Sequence, residues 1–285
     1  MSGPGGVHVA AVTPFDAELG VDVDAYLHHL RWLAGHGVDG IVLFGTNGEG
    51  PSLSLGEKAA LLERVASAEL GVSLLPTVAE GNLPDTLELV ARCNDLPATA
   101  VLVLPPYFFK PVDPAGVEDF YRRVLAVARH PLLAYHVPKY AVPVPAEVVT
   151  RLPVWGVKDS AAEPGYLDAV LAGDRAVLLG TESGVVERLG LGAQGMVSAL
   201  ANVVPDLVVT LYRAVRAGDR ASADELERRL LELRKRTKEY ASPGVLKRMA
   251  AARHGAAMGT VRPPLVPVPE DYDPLPALHA AGVDA

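Results

Sequence analysis

The chain has 285 residues, 49% of them hydrophobic and 21% charged, with a net charge of -8 and a pI near 5.5. That balance describes a soluble globular protein and leaves no basic footprint for nucleic acid or an anionic membrane. No apolar run reaches the ~20 residues that cross a bilayer, and MSGPGGVHVAAV at the start has neither the basic residues nor the long apolar core of a secretion signal. Cys93 is the single cysteine, so no disulfide framework exists. In LELVARCNDL it reads as a small core residue, and a reducing cytoplasm is the expected compartment.

Short apolar runs recur along the chain: VHVAAVTPF (7–15), GIVLFG (40–45), SLLPTVA (73–79), ATAVLVLPP (98–106), PLLAYHVP (131–138), VWGVKDS (154–160), AVLLGT (176–181) and GMVSAL (195–200). Their near-continuous hydrophobicity is that of strands covered on both faces by helices. Between them lie segments with apolar residues at helical spacing. The first runs from about Asp24 to Ala34 with Leu27, Leu30 and Leu33 inward, and Ser54 with Glu57 forms a capping box before the second. Eight such units predict an α/β fold, a closed parallel (β/α)₈ TIM barrel with additional C-terminal helices. An open doubly wound sheet is the alternative, but no G-x-G-x-x-G or P-loop opens a helix after a strand. The barrel is expected over 1–203. Residues 204–285 supply its last helix, a helical extension with Leu226, Leu230 and Leu233 on one face, and a proline-rich tail, all in one structural unit. Arg234, Lys235, Arg236 and Lys238 interleave with Glu225, Glu227, Glu232 and Glu239, as on a solvated helix face.

In such a barrel the chemistry lies at the C-terminal strand ends. There stand GTNGEG (45–50), PPYFFK (105–110), AYHVPK (134–139) and GVKDS (156–160). Lys158 follows an apolar run, where desolvation disfavours an ammonium and frees the amine as a nucleophile toward a carbonyl. Tyr135 on the neighbouring strand can move the protons that imine chemistry requires. The Thr46 hydroxyl, the Asn47 amide and backbone N–H groups about Gly48 can receive a carboxylate. Each has a plainer reading: a lysine that snorkels to water, a core tyrosine, an ordinary turn, and Tyr107 as a rim aromatic.

With TPF (13–15), GTNGEG, PPYF, Y-x-V-P (135–138), GVKDS and GMVSALANVVP (195–205) in this order, the chain resembles the dihydrodipicolinate synthase/N-acetylneuraminate lyase family of class I aldolases over essentially its full length. The resemblance implies that Lys158 forms a Schiff base with pyruvate or a similar 2-oxo acid, without metal or cofactor. Tyr135 would be the acid/base and Thr46 its relay; Asn47 would hold the carboxylate and Val197 would line the site. It also implies a homotetramer, a dimer of dimers. Thr181 and Glu182 fall where lyases of the family hold hydroxylated substrate tails, though Glu182 could instead cap the following helix.

Three departures bear on the substrate. Synthases of the lysine pathway carry two tyrosines after the fourth strand, and Phe108 replaces the second. They carry an arginine two residues past the Y-x-V-P proline, and Tyr140 stands there beside Lys139, with neither able to reproduce its fork. His136 replaces the usual asparagine and would touch either a substrate hydroxyl or a neighbouring loop. The expectation is an aldolase acting on a 2-keto-3-deoxy sugar acid or 4-hydroxy-2-oxoglutarate. A strict 4-hydroxy-tetrahydrodipicolinate synthase, a sugar-acid dehydratase and a non-catalytic 2-oxo acid sensor are the alternatives. A zinc-dependent aldolase would need clustered ligands, and the histidines look scattered apart from His28 and His29.

Overall fold

A computed structural model describes residues 5–283. The chain alternates β1 (Gly6–Ala10), α1 (Val23–Gly35), β2 (Gly40–Leu43), α2 (Leu55–Ala66), β3 (Ser73–Val78), α3 (Leu83–Cys93), β4 (Val101–Val103) and α4 (Pro114–Val127). It continues through β5 (Leu132–His136), α5 (Ala146–Arg151), β6 (Gly156–Asp159), α6 (Tyr166–Ala172), β7 (Ala176–Leu179), α7 (Val185–Gly190), β8 (Gly195–Ser198) and α8 (Pro205–Ala217). All neighbouring strands pair in parallel and β8 returns to β1, which closes a (β/α)₈ TIM barrel. Three more helices follow: α9 (Arg220–Arg236), α10 (Ser242–His254) and α11 (Leu275–Ala280).

Both faces of every strand are buried, which is why the strands read as unbroken apolar runs. Ala10, Val42, Leu75, Leu102, Leu133 and Leu178 fill the barrel, while Val9, Ile41, Leu43, Val157 and Leu179 meet the helices outside. Helix ends follow local chemistry. Ser54 and Glu57 bond reciprocally in the expected capping box, Asp22 accepts from the Ala25 N–H, and Gly218 in a left-handed conformation ends α8. Such caps contribute about 1 kcal/mol each.

The ladders are shorter than the apolar runs: β1 stops at Ala10 and β4 spans only Val101–Val103. Beyond them lie Pro14, Pro105 and Pro106, which have no N–H for a ladder and turn the chain into βα loops. In α9, Leu226, Leu230 and Leu233 are buried, and exposed pairs such as Lys235–Glu232 (2.6 Å) cover its outer face. Arg234 departs from that solvated face and bonds Thr181 Oγ1 at 2.5 Å. The histidines are also less scattered than they look, because α10 brings His254 to 3.2 Å from His29 of α1. Among the described residues, no helix is long and apolar enough to cross a membrane.

Candidate active site

Strand periodicity sets the direction of the key side chain. On β6, Asp159 turns outward, where it forms an ion pair with Arg188 of α7 and accepts from the Ala161 and Ala162 N–H groups. Lys158 must then turn inward. It is 4% exposed, and its Nζ lies 4.1 Å from the ring centroid of Tyr135. Those two residues are direct partners in the β5–β6 register, so the ladder itself holds amine and phenol side by side.

Tyr135 is also 4% exposed, and its hydroxyl lies 3.3 Å from Thr46 Oγ1. Burial alone would push the phenol up. The Lys158 charge, with hydrogen bonding from Thr46, Lys158 and Ser160, outweighs that and holds Tyr135 below the usual tyrosine range. Ser160 makes no full hydrogen bond although its Oγ is buried. Its N–H continues the ladder to the His136 carbonyl at 2.9 Å, so its side chain shares the inward face of Lys158. Gly180 leaves the room: a Cβ there would come 1.9 Å from Ser160 Oγ. Sequence reasoning passed over Ser160, yet its place two residues after Lys158 was signal enough.

Thr46 and Asn47 stand on the loop after β2, with Thr46 exposed at the barrel mouth. Thr13 Oγ1 donates to the Gly48 carbonyl at 2.7 Å, and the Gly50 N–H closes the turn on the Gly45 carbonyl at 3.1 Å. Gly50 is required here because a Cβ would lie 1.8 Å from the Phe44 carbonyl oxygen. Asn47 Oδ1 faces Ser242 Oγ of α10 at 3.5 Å. Val197 lies on the inner face of β8 with Tyr135. The fold thus gathers Lys158, Tyr135, Thr46, Asn47, Gly48 and Val197 at one strand-end mouth.

The remaining sequence candidates make other contacts. His136 follows Tyr135 on the strand and therefore points outward; its ring stacks on Tyr166 of α6 at 4.1 Å, and Nδ1 accepts from the Val144 N–H at 3.1 Å. The loop contact, not the substrate hydroxyl, is its observed role. Tyr107 is on the rim, with its phenol over Gly81. Thr181 Oγ1 accepts from Arg234 and from the Ser183 N–H. Glu182 Oε1 accepts from Ser198 Oγ at 2.8 Å and from the Ala199 N–H, tying the end of β7 to that of β8. It does not cap α7, since Glu227 accepts from the Val185 N–H instead.

A cleft of about 820 Å³ opens at the opposite, N-terminal end of the barrel. Its Arg175 and Arg216 already donate to backbone carbonyls, so volume does not mark the chemistry here. Among the described residues no three His, Cys, Asp or Glu side chains gather in a metal-holding group.

The model of the dihydrodipicolinate synthetase family matches residues 3–280. A protein of Anaeromyxobacter sp. (strain Fw109-5) named 4-hydroxy-tetrahydrodipicolinate synthase is 33% identical over 93% of this chain and 92% of its own length. An uncharacterised DapA-like lyase of Halobacterium salinarum is 32% identical over 93% of this chain and 90% of its own. Among solved structures, a dihydrodipicolinate synthase superposes with a TM-score of 0.90 at 27% identity, covering 98% of this chain and 99% of that one. A Sulfolobus solfataricus 2-keto-3-deoxygluconate aldolase shares the fold with a TM-score of 0.89 at 21% identity, over 98% of this chain and 95% of its own. With the barrel, the motifs and the matched length in agreement, the chain belongs to the dihydrodipicolinate synthetase family and is a lyase of that family.

Proposed function

We propose that this lyase is a class I aldolase in which Lys158 forms an imine with a 2-oxo acid and pyruvate is product or donor. One observation carries the reading: a buried lysine amine lies against the ring of a tyrosine whose hydroxyl reaches Thr46. The Lys158 amine, once it has given its proton to Tyr135, adds to the C2 carbonyl, and the carbinolamine loses water as Tyr135 returns that proton. In the cleavage direction Tyr135 takes the proton of the C4 hydroxyl, the C3–C4 pair moves into the iminium, and an aldehyde leaves. Protonation of the resulting enamine at C3 and hydrolysis release pyruvate and return Lys158. Thr46 passes protons between Tyr135 and the mouth, Asn47 and the Gly48 region receive the carboxylate, and Val197 lines the cavity. The imine is the electron sink, so the scheme calls for no metal or other cofactor.

The substrate we favour is a 2-keto-3-deoxy sugar acid or a hydroxy-oxo acid. The Ser160 hydroxyl, beside Tyr135 but without a full hydrogen bond, suits a hydroxylated tail. No guanidinium fork stands after Pro138: Tyr140 is half-exposed and Lys139 stacks on it at 4.9 Å. The name of the Anaeromyxobacter relative favours the second reading, condensation of pyruvate with aspartate semialdehyde. Dehydration of a sugar acid would use the same imine. A cytoplasmic homotetramer completes the proposal. Phe108 and Phe109, 81% and 73% exposed at the rim, are the kind of surface that a second copy covers.

Borohydride reduction in the presence of pyruvate is expected to add one pyruvate-derived mass at Lys158, and Lys158→Ala to remove adduct and activity together. An unmodified protein overturns the scheme. Pyruvate release from a panel of deoxy-oxo and hydroxy-oxo acids, set against condensation with aspartate semialdehyde, separates the readings.

A further inference from the structure

The loop that carries Thr46 and Asn47 ends in a charge with no part in the imine scheme. Glu49 adopts a left-handed conformation (φ 53°) and is almost wholly buried. Its Oε1 accepts from Lys247 Nζ of α10 at 2.6 Å, and its Oε2 accepts from the Arg262 N–H at 3.0 Å. Lys247 also donates to the Thr260 carbonyl at 2.6 Å and lies 4.2 Å from the ring centroid of Phe15, in the loop after β1. The same helix begins with Ser242, which faces Asn47. Hence α10, outside the barrel, touches the loop at two points, one on each side of Gly48.

A buried ion pair seldom raises stability, because desolvating two charges costs several kcal/mol that their attraction roughly returns. What it does impose is a fixed position: each partner is strongly penalised if it leaves the other. We propose that Glu49 and Lys247 are a positioning pair that sets the GTNGEG loop so that Thr46 Oγ1 reaches the Tyr135 hydroxyl. This rests on the aldolase reading of the site. The C-terminal extension thereby completes the proton relay without touching substrate.

The test is kinetic and uses the full-length protein. Glu49→Gln alone strands a buried cation and invites unfolding, so Glu49→Gln and Lys247→Met are combined, removing both charges at nearly constant volume. Folding is confirmed by circular dichroism. At saturating pyruvate the double variant is expected to form the Lys158 adduct as the parent does, because amine and phenol are held by the ladder, while kcat falls about tenfold. In a Thr46→Val background the same pair of changes is expected to lower kcat less than twofold, since the relay they serve is already gone. If the double variant does not fold, Lys247→Arg, which keeps the charge but cannot keep both short bonds, takes its place with about a threefold loss expected. A folded variant with parental kcat, or an equal loss with and without Thr46, overturns the proposal. A parent that neither traps pyruvate nor turns over would instead sink the aldolase reading.

Discussion

Acid should weaken this fold through one buried histidine. His29 of α1 is fully buried, with Nε2 at 3.0 Å from Asn202 Oδ1 and Nδ1 at 3.2 Å from His254 Nε2. Asn202 Nδ2 donates to the Ala10 and Ala199 carbonyls, and its Oδ1 also accepts from the Val12 N–H, so the proton on His29 belongs on Nε2. Nδ1 then accepts from His254, whose own Nδ1 accepts from the Ala256 N–H at 3.2 Å. A second proton on His29 would set two N–H donors face to face. Burial chiefly, with the neighbouring histidines, lowers His29 to about 3 and His254 to about 4, from an ordinary 6.5.

Because both values lie below that of the unfolded chain, unfolding takes up protons once the pH drops under about 6.5. The contribution is whole above that pH and is lost as pH falls toward the folded values. At pH 5 the unfolded His29 is favoured by about 1.36 × (6.5 − 5), or ~2 kcal/mol, whatever the last fraction of its folded pKa. Half-buried His254 is screened by solvent and adds ~1 kcal/mol. Urea unfolding at pH 8 and pH 5, run on the parent and on His29→Gln, checks this. Glutamine can keep the bond to Asn202 but does not titrate, so the parent should lose ~2 kcal/mol more than the variant between the two pH values. Equal losses would refute the assignment. The effect matters for the site because Asn202 holds the Ala10–Val12 segment, next to Thr13 and its bond to Gly48.

Three further outcomes are expected. Tyr135→Phe should slow turnover by ~10² to 10⁴ while borohydride still traps pyruvate, measured by pyruvate release and intact mass. Ser160→Ala should raise KM for a hydroxylated substrate about fivefold, the value of one hydrogen bond of ~1 kcal/mol, and leave pyruvate trapping unchanged. Gly50→Ala drives a methyl onto the Phe44 carbonyl oxygen, a backbone atom that cannot rotate away. It should cost ~3 kcal/mol or prevent folding, read by thermal unfolding of the purified protein.

The sequence made legible whatever depends on near neighbours. The strand runs, the Ser54 capping box and the inward turn of Lys158 follow from spacings of two to four residues, and the structure reproduces them. Where those runs pass beyond the ladders, period two stops being a guide, and the roles of Thr181 and Glu182 could not be read. The direction of His136 is legible, since it neighbours an inward Tyr135 and must turn outward. The remaining misses involve partners remote in sequence. Lys247 meets Glu49 across 198 positions, His254 meets His29 across 225, and Arg234 meets Thr181 across 53. Each pair sits on elements whose local pattern is that of an ordinary helix or turn, so nothing in the spacing announces the contact.

The two kinds of legibility coincide with two kinds of support. Lys158 and Tyr135 are register partners in a closed barrel, and Lys158 is paired on its other side with Leu178 of β7, so neither can move without breaking a backbone ladder. Thr46 and Asn47 stand past the end of β2, and what holds them is a set of side-chain bonds from Thr13, Ser242 and Lys247, supplied by two separate segments, the loop after β1 and α10. Imine formation should therefore resist distant perturbation, whereas proton delivery and carboxylate binding should respond to it. Changes in α10 or in the segment around Arg262 then act on turnover through the loop while the nucleophile stays in place. On the proposed reading, α10 then belongs to the catalytic apparatus by position, because two of its side chains help to hold the loop that carries Thr46 and Asn47.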